Sequence, residues 1–228
     1  MGESRAKSSR RSGDRPLASV ARDQIYAMIV RLQLRPGERI LESQLQRRTG
    51  LGRTPIREAL FQLSREGLVV RDARGFAVAE LSSREVGELY EVREELEVLS
   101  VRRAILQATD DQLRELETVI AEVSAGTRGA EDRWVLGWRF HRSLARLSGN
   151  QVLEELLEQL LRRIERVRFM EILSDPSGDR AREEHRRIFE AVARRDVEAA
   201  EGAVRAHIRA SRERVLSLFD LKYQLALA

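Results

Sequence analysis

The chain has 228 residues, of which 42% are hydrophobic and 34% are charged, enough for one or two domains with apolar cores and well-solvated surfaces. It contains no cysteine, which excludes disulfides and thiolate chemistry and fits a reducing cytoplasm. No apolar run approaches the roughly 20 residues of a membrane span, so we expect a cytoplasmic protein without a membrane partner. Residues 1–80 carry a net charge of +7 and residues 81–228 one of −3, which indicates that the first third meets a polyanion.

The first third of the chain has the element order of a winged helix-turn-helix. Residues 1–16 are basic, rich in serine and without hydrophobic periodicity, and are predicted to form a disordered tail. Apolar residues then recur at helical spacing over 17–34, and "RPGE" ends that helix. A short helix over about 42–49, the turn "TGLG", the helix "RTPIREALFQLSREG" and a hairpin from "LVV" and "FAVAEL" follow. This order predicts a winged helix-turn-helix domain over residues 17–80.

The third helix of this domain carries the candidate DNA contacts. Its apolar stripe, which includes Ile56 and Leu60, is predicted to be buried. Arg53, Thr54 and Arg57 then lie on the outward side of its N-terminal end, where a helix-turn-helix contacts base edges and phosphates. The alternative is an ordinary solvated face, but that alternative explains neither the turn nor the hairpin. We therefore predict DNA binding.

The run "LRPGERILESQLQRRTGLGRTPIREALFQLSREGLVVRDARGFAVAEL" resembles the DNA-binding domain of GntR-family bacterial transcription regulators. The resemblance implies that Arg53, Thr54 and Arg57 belong to the operator-contacting helix. It also implies that Arg74 and Gly75 form the tip of a wing that enters the minor groove. Two positions depart from the family pattern. Gly52 replaces the usual serine at the helix N-cap, and Gln46 replaces an alanine.

The remainder of the chain, residues 81–228, is predicted to be all helical. A capping box at "SSRE" opens the first helix, and five further amphipathic segments follow, the last running to about Leu218. Six such helices predict a bundle. The fold class is therefore mainly α, with an N-terminal winged helix-turn-helix and a C-terminal all-α six-helix bundle.

The three histidines of the chain all lie on inward stripes of this bundle, on three different helices. A single inward histidine is usually a satisfied core residue. His141, His185 and His207 together are harder to explain in that way, because each buried imidazole without a partner costs roughly 1–3 kcal/mol. A shared cation would satisfy all three, and three histidines suit a borderline ion such as Zn²⁺ with one coordination position open.

The bundle resembles the FCD effector domain in its six-helix, metal-binding form, because "GWRFH", "LSGN", "EEH" and "AH" follow in the order of the family motifs. The resemblance implies that His141, His185 and His207 are metal ligands, that Asn150 belongs to the effector site, and that the ion is divalent. Zinc is expected first, with nickel or manganese possible. Gly137 stands where the family has an aspartate ligand. The alternative is a site without metal, in which the imidazoles bind the effector directly.

Arg93 is a second candidate for effector binding, because it lies on or beside the inward stripe of its helix. A buried arginine needs an anion. The resemblance implies that Arg93 pairs with the carboxylate of a metal-bound organic acid, whereas a salt bridge to Glu97, four residues on, is an equal alternative. Arg163, between Leu160 and Val167, is a weaker candidate.

The sequence therefore predicts a DNA-binding transcription regulator, expected to be a repressor, that responds to a small organic acid. The resemblance implies a homodimer, joined through its bundles, on an operator with two-fold symmetry. Enzymatic activity is not expected. Two other functions stay open, namely a metal-dependent hydrolase, since three histidines and a water also form a catalytic shell, and a constitutive DNA-binding protein that ignores effectors.

Overall fold

The computed structural model of the protein describes residues 15–124, 130–174 and 179–226, so all but the last two residues of the predicted tail lie outside it. Within these ranges the chain forms nine helices and three short strands, which confirms the predicted mainly α fold. In chain order they are α1 (Leu17–Val30), β1 (Arg39–Ile40), α2 (Glu42–Thr49), α3 (Arg53–Arg65), β2 (Val69–Asp72), β3 (Gly75–Val78), α4 (Ser83–Gln107), α5 (Asp110–Ser124), α6 (Ala130–Leu147), α7 (Gln151–Ser174), α8 (Asp179–Ala193) and α9 (Val197–Ala226).

The winged domain packs α1, α2 and α3 against a three-stranded antiparallel sheet in the order β1-β3-β2. Ile25, Ile56 and Leu60 are fully buried in its core, as the stripe on α3 predicts. The hairpin of β2 and β3, called the wing below, is the predicted one. Strand β1 was not predicted, because two residues are too few to show an alternating pattern.

Helix α1 ends at Val30, earlier than the predicted Leu34. Leu32 adopts a left-handed backbone with φ 57°, and the N–H groups of Gln33 and Leu34 donate to the carbonyl of Met28. This turn returns the Leu34 side chain to the core. A buried leucine that follows a helical stripe therefore looks like part of the helix in the sequence.

The turn between α2 and α3 depends on a glycine. Gly50 has φ +72°, the left-handed region that favours glycine, and its N–H donates to the carbonyl of Gln46 to end α2. Helix α3 begins at Arg53 without a side-chain cap, since Gly52 has no side chain to provide one. Pro55 lies in its first turn, where a missing N–H costs little.

Helices α4 to α9 form a bundle with its own hydrophobic core. Helix α4 packs along α9, α6 and α7, so it is the central helix of the bundle. The predicted capping box is present, because Ser82 Oγ accepts a hydrogen bond from the N–H of Glu85 at 3.0 Å. Among the described residues, no helix is both long and apolar enough to cross a membrane.

Helix α7 belongs to the bundle and also contacts the winged domain. It packs against α1, and Arg166 on α7 donates a hydrogen bond to the carbonyl of Ala79, just after β3. Arg163 pairs with Glu85 at the start of α4, at 2.6 Å. The segment between the wing and the bundle is therefore bound by Arg163 and Arg166, which lie on one face of α7.

Candidate functional site

The candidate DNA-binding residues of α3 share one exposed surface. Arg53, Thr54 and Arg57 lie in its first two turns with exposed or half-exposed side chains. Glu42, at the start of α2, pairs with Arg53 Nε at 2.8 Å and lies 3.6 Å from Arg57 Nε. Both guanidinium groups are therefore accessible to a phosphate or a base edge, which would compete with Glu42.

The tip of the wing presents Arg74 to solvent, with 82% of its side chain exposed. Asp72 fixes the turn, since its carboxylate accepts the N–H of Arg74 at 2.8 Å and both guanidinium hydrogen bonds of Arg39. Arg39 holds the pKa of Asp72 well below its usual range, so the carboxylate stays ionised. Gly75 has φ +112°, which only glycine adopts readily. The wing is a rigid hairpin with one arginine at its end.

His141 on α6, His185 on α8 and His207 on α9 meet inside the bundle, as the sequence predicted for a shared site. One nitrogen from each ring can be chosen so that all three lie within 4.8 Å of one another, and all three residues are buried. Burial lowers the pKa of His141 to about 3 and also lowers those of His185 and His207. The imidazoles are therefore neutral near pH 7, which is the form that binds metals.

Two carboxylates fix the orientation of these rings. Glu97 on α4 lies 2.6 Å from His141 Nδ1, and Glu184 on α8 lies 2.6 Å from His207 Nδ1. Burial by itself raises the pKa of Glu97, but the adjacent His141 and Arg93 lower it well below its usual range. An ionised carboxylate can only accept, so each Nδ1 carries the hydrogen and each Nε2 keeps its lone pair. Carboxylates in this position are typical partners of metal-binding histidines.

The two Nε2 lone pairs face each other across 3.4 Å, and with neither nitrogen protonated this contact cannot be a hydrogen bond. Two nitrogens bound to one tetrahedral zinc, each at about 2.0–2.1 Å, would lie about 3.3–3.4 Å apart. Among the described residues, neither ring nitrogen of His185 has a hydrogen-bond partner, although the ring is buried. The donor set therefore fits a divalent cation that prefers nitrogen ligands.

Arg93 is fully buried behind this cluster. Its Nε donates to Glu97 at 2.7 Å, and its Nη2 donates to the lone pair of His141 Nε2 at 3.1 Å, so a metal ion on His141 would displace this second contact. Of the two partners that the sequence left open for Arg93, an effector carboxylate and Glu97, the structure contains the salt bridge to Glu97. Arg93 does not line the cavity described next, so it supports the histidine cluster from behind.

A cavity of about 290 Å³ opens beside the cluster and is lined by His185, His207 and Gly137. Its remaining polar wall is strongly basic, with one carboxylate, Glu171, and five arginines, namely Arg133, Arg168, Arg180, Arg182 and Arg214. Several of these arginines are paired, since Arg214 binds both Glu171 and Glu184, and Arg182 pairs with Asp179. The cavity suits a small anion that reaches the histidines.

The structure does not bring Asn150 or Arg163 to this cavity. Asn150 caps α7, where its Oδ1 accepts the N–H of Leu153 at 3.2 Å. Arg163 lies between the bundle and the winged domain, because its position on α7 faces Glu85 and Gly67. The motif "LSGN" is explained by a helix start, and the position of Arg163 by a contact between domains.

Sequence reasoning missed Glu184, Arg168 and Glu171, and it recognised only part of the role of Glu97. Glu184 was visible only as part of "EEH", and its contact with His207 on another helix has no sequence signal. Arg168 and Glu171 are one turn apart on α7, which a search for charges on an inward stripe could have found. Glu97 was considered only as a partner of Arg93 and also orients His141.

Comparison with known proteins agrees with this geometry. Residues 17–78 match the gntR family of bacterial regulatory proteins, and residues 88–210 match the FCD domain. An uncharacterized HTH-type transcriptional regulator of Bacillus subtilis (strain 168), YdhC, is 37% identical over 81% of this chain and 84% of its own. The chain belongs to the gntR family. It is a GntR-family transcriptional regulator with an FCD domain, and not an enzyme, so the hydrolase alternative is not supported.

Two further known proteins are similar to this GntR chain over most of its length. The Nta operon transcriptional regulator of Aminobacter aminovorans is 34% identical over 84% of this chain and 90% of that protein. The solved structure of E. coli McbR/YncC superposes with a TM-score of 0.77 over 90% of this chain and all of that one, at 21% identity. At that identity the likeness establishes the fold alone.

Proposed function

We propose that this GntR regulator is a homodimeric repressor whose affinity for a two-fold symmetric operator is controlled by a small organic acid. The acid binds in the cavity beside a divalent metal, zinc first, held by His141, His185 and His207. The observation that carries this proposal is the pair of Nε2 lone pairs 3.4 Å apart, each ring held by a carboxylate, next to an imidazole without a partner.

Charge favours an anionic effector. Three neutral imidazoles leave a divalent ion with its full charge, and the bound ion would offer an open coordination position to a carboxylate. His185 and His207 line the cavity, so a ligand there reaches the histidine cluster. Such a ligand changes operator affinity only if it prefers one arrangement of the dimer over the other.

The outer face of α4 supports the dimer. Val92, Leu99 and Leu106 are exposed and seven residues apart, so they form one apolar stripe along the helix. Two copies of α4 packed antiparallel about Leu99 would place Leu99 against Leu99 and Val92 against Leu106 of the other copy. This pairing is symmetric about a two-fold axis, as a homodimer with a symmetric operator requires.

The metal is tested on protein purified without chelators and without a His-tag. We expect about one divalent ion per chain by elemental analysis. His207→Ala should lose the ion and the effector response and still bind operator, because the winged domain is untouched. Asn150→Ala, which removes a helix cap away from the cavity, controls for general loss of stability and should keep both properties. Absence of metal together with a full effector response in the triple His→Ala variant would contradict the proposal.

The dimer is tested by analytical ultracentrifugation. Leu99→Glu places a charge at the centre of the proposed pairing and should shift the protein to monomer and weaken operator binding. Val135→Glu changes an equally exposed apolar residue on α6 and is the matched control. A Leu99→Glu variant that stays dimeric at the wild-type concentration would exclude this face of α4.

Repression is tested with a promoter-reporter fusion that carries the operator. Repression requires only that the bound protein covers the promoter, whereas activation requires a further contact with the transcription machinery. We expect reporter output to rise when the regulator is deleted. Output that falls on deletion would show an activator.

A further inference from the structure

Arg168 on α7 is a buried cation at the wall of the cavity. It is 8% exposed, and it makes no hydrogen bond or ion pair with any residue in the described ranges. Of the neighbouring carboxyl groups, Glu97 binds Arg93, and Glu171 binds Arg214 and Ser211. Burial raises the pKa of Glu165 to about 8, so Glu165 is protonated at pH 7 and does not neutralise Arg168. Burial lowers the pKa of Arg168, but an arginine stays charged at pH 7. A buried charge without a partner is costly, and an anion would offset that cost.

Gly137 on α6 gives this guanidinium its space. A Cβ atom at position 137 would lie 3.6 Å from Arg168 Nη2 and 3.6 Å from His185 Cε1. The missing side chain therefore leaves a gap bordered by the guanidinium on one side and the histidine cluster on the other. An anion placed there touches both.

We propose that Arg168 determines effector specificity: it binds one acid group of a small dicarboxylate whose other acid group faces the histidine cluster. This inference rests on the proposed effector site and names its ligand class. The charges around the gap support two acid groups rather than one. The carboxylates of Glu97, Glu171 and Glu184 contact Arg93 and Arg214 and equal in number the guanidinium groups of Arg93, Arg168 and Arg214, so the double charge of an ion on the histidines remains to be balanced. Within the described ranges, Arg168 is the one of these three arginines without a carboxylate in contact, so it is the one that can bind the second acid group. The cavity of about 290 Å³ has room for a small dicarboxylate.

The ligand class is tested with malonate, succinate and glutarate, each against its monoamide. Each monoamide has nearly the same shape and one charge fewer. On metal-loaded full-length protein, calorimetry should show at least one diacid that binds at least about tenfold more tightly than its monoamide, because a buried charge pair is broken in the amide complex. Equal affinity, or none, for every pair would overturn the dicarboxylate assignment.

The residue is tested with Arg168→Met. This variant should fold, because replacing an unpaired buried charge with an apolar side chain is neutral or stabilising. We expect it to keep its metal and its operator affinity and to bind diacid and monoamide within about threefold of each other. Arg142→Met is the matched control, since Arg142 on the same bundle stacks on Trp138 away from the cavity. A diacid preference that survives Arg168→Met would overturn the role of Arg168.

A second test needs no ligand. Gly137→Asp puts a carboxylate into the gap, and Gly137→Ala adds only a methyl group there. The comparison is made on protein freed of metal with a chelator, so that the aspartate cannot act as a metal ligand. In the presence of Arg168 the aspartate variant should have the higher melting temperature of the two, and in the Arg168→Met background the lower one. The same ordering in both backgrounds would show that Arg168 does not bind an anion in the gap.

These results are separable from the proposed function. A wild-type protein that holds metal and responds to an effector but shows no diacid preference, or a diacid preference that survives Arg168→Met, contradicts only this inference. Loss of metal in the wild-type protein contradicts the histidine site. Elemental analysis of every variant distinguishes the two.

Discussion

The arginines of the candidate sites are exposed in the winged domain and buried in the bundle. On the wing and on α3, Arg53, Arg57 and Arg74 are exposed, and their acidic partners are exposed or half-buried. In the bundle, Arg93 and Arg168 are buried with the histidines. An exposed arginine costs little free energy when no DNA is bound. A buried arginine costs more unless a carboxylate or another anion neutralises its charge. An unpaired charge is therefore uninformative in the first region, whereas in the second it is the observation on which the proposed ligand position rests.

The largest effect is expected at Glu165 on α7, a buried carboxyl group that should make the free energy of unfolding depend on pH. Burial raises its pKa to about 8, against the opposing effects of Arg168 and Arg22. The folded protein keeps this proton up to about pH 8, whereas an unfolded chain loses it near the ordinary value of 4.5. Stability contributed by this group is thus present below about pH 4.5 and lost as pH rises to about 8.

The measurement is the free energy of unfolding in urea between about pH 5 and pH 8.5. Relative to Glu165→Gln, the wild type should lose about 3–5 kcal/mol over this range. The histidines titrate in both proteins, so their contribution cancels in the difference. Glu155→Gln, an exposed glutamate on the same helix, is the control. Parallel pH profiles for wild type and Glu165→Gln would show that Glu165 is ionised in the fold.

Arg53 and Arg57 test the other half of the contrast, namely that exposed arginines contribute to DNA binding and not to stability. Replacing either with alanine should cost about 1–3 kcal/mol of specific operator binding if it contacts a base, and should leave the free energy of unfolding unchanged within about 0.5 kcal/mol. A phosphate contact would weaken all sequences alike and flatten the salt dependence. Binding is measured by fluorescence anisotropy at several salt concentrations. Unchanged affinity in both variants would remove α3 from the DNA interface.

Glu184 tests the carboxylates that orient the buried rings. Glu184→Gln should weaken metal binding about 10–100-fold, because the amide holds His207 Nδ1–H less strongly. The measurement is competition with a coloured chelator. Glu183→Gln, the neighbouring exposed residue that pairs with Arg186, is the control. Equal metal affinity in the two variants would mean that Glu184 has no part in the site.

The smallest effect is expected at Gly137. Glycine inside a helix costs about 0.5–1 kcal/mol relative to alanine, and the added Cβ would meet only ordinary contacts at 3.6 Å. Gly137→Ala should therefore raise the free energy of unfolding by about that amount. Urea unfolding measures it. A destabilised alanine variant would show that the gap is already filled by Arg168 at closer range.

The DNA-binding surface could be predicted from sequence because its signals are local. The turn glycines, the apolar stripe of α3 and the arginines all lie within one stretch of chain, and only strand β1 and the end of α1 were missed. The three histidines were also predictable, since each lies on the inward stripe of its own helix. They were informative because all three lie on inward stripes of different helices, which a single inward histidine would not have been.

The rest of the effector site depends on contacts between helices that periodicity does not encode. Glu184 is next to His185 in sequence but orients His207 on α9. Arg168 on α7 lies close to position 137 on α6 and to the histidines, which only the packing of the helices determines. Arg93 looked equally suited to a ligand and to Glu97, and only the packing of α4 decides between them. Such residues are recognised by burial and pairing, which require the fold.

Helix α7 carries Arg168 at the cavity and Arg166 at the carbonyl of Ala79, just past the last strand of the wing. Two residues of an α-helix are separated by about 3 Å along its axis. Their side chains leave the helix about 200° apart around its axis, because an α-helix has about 3.6 residues per turn, so Arg168 faces the cavity and Arg166 faces the winged domain from opposite sides of α7. A rotation of α7 on ligand binding would therefore move both contacts together, the one at the cavity and the one at the winged domain.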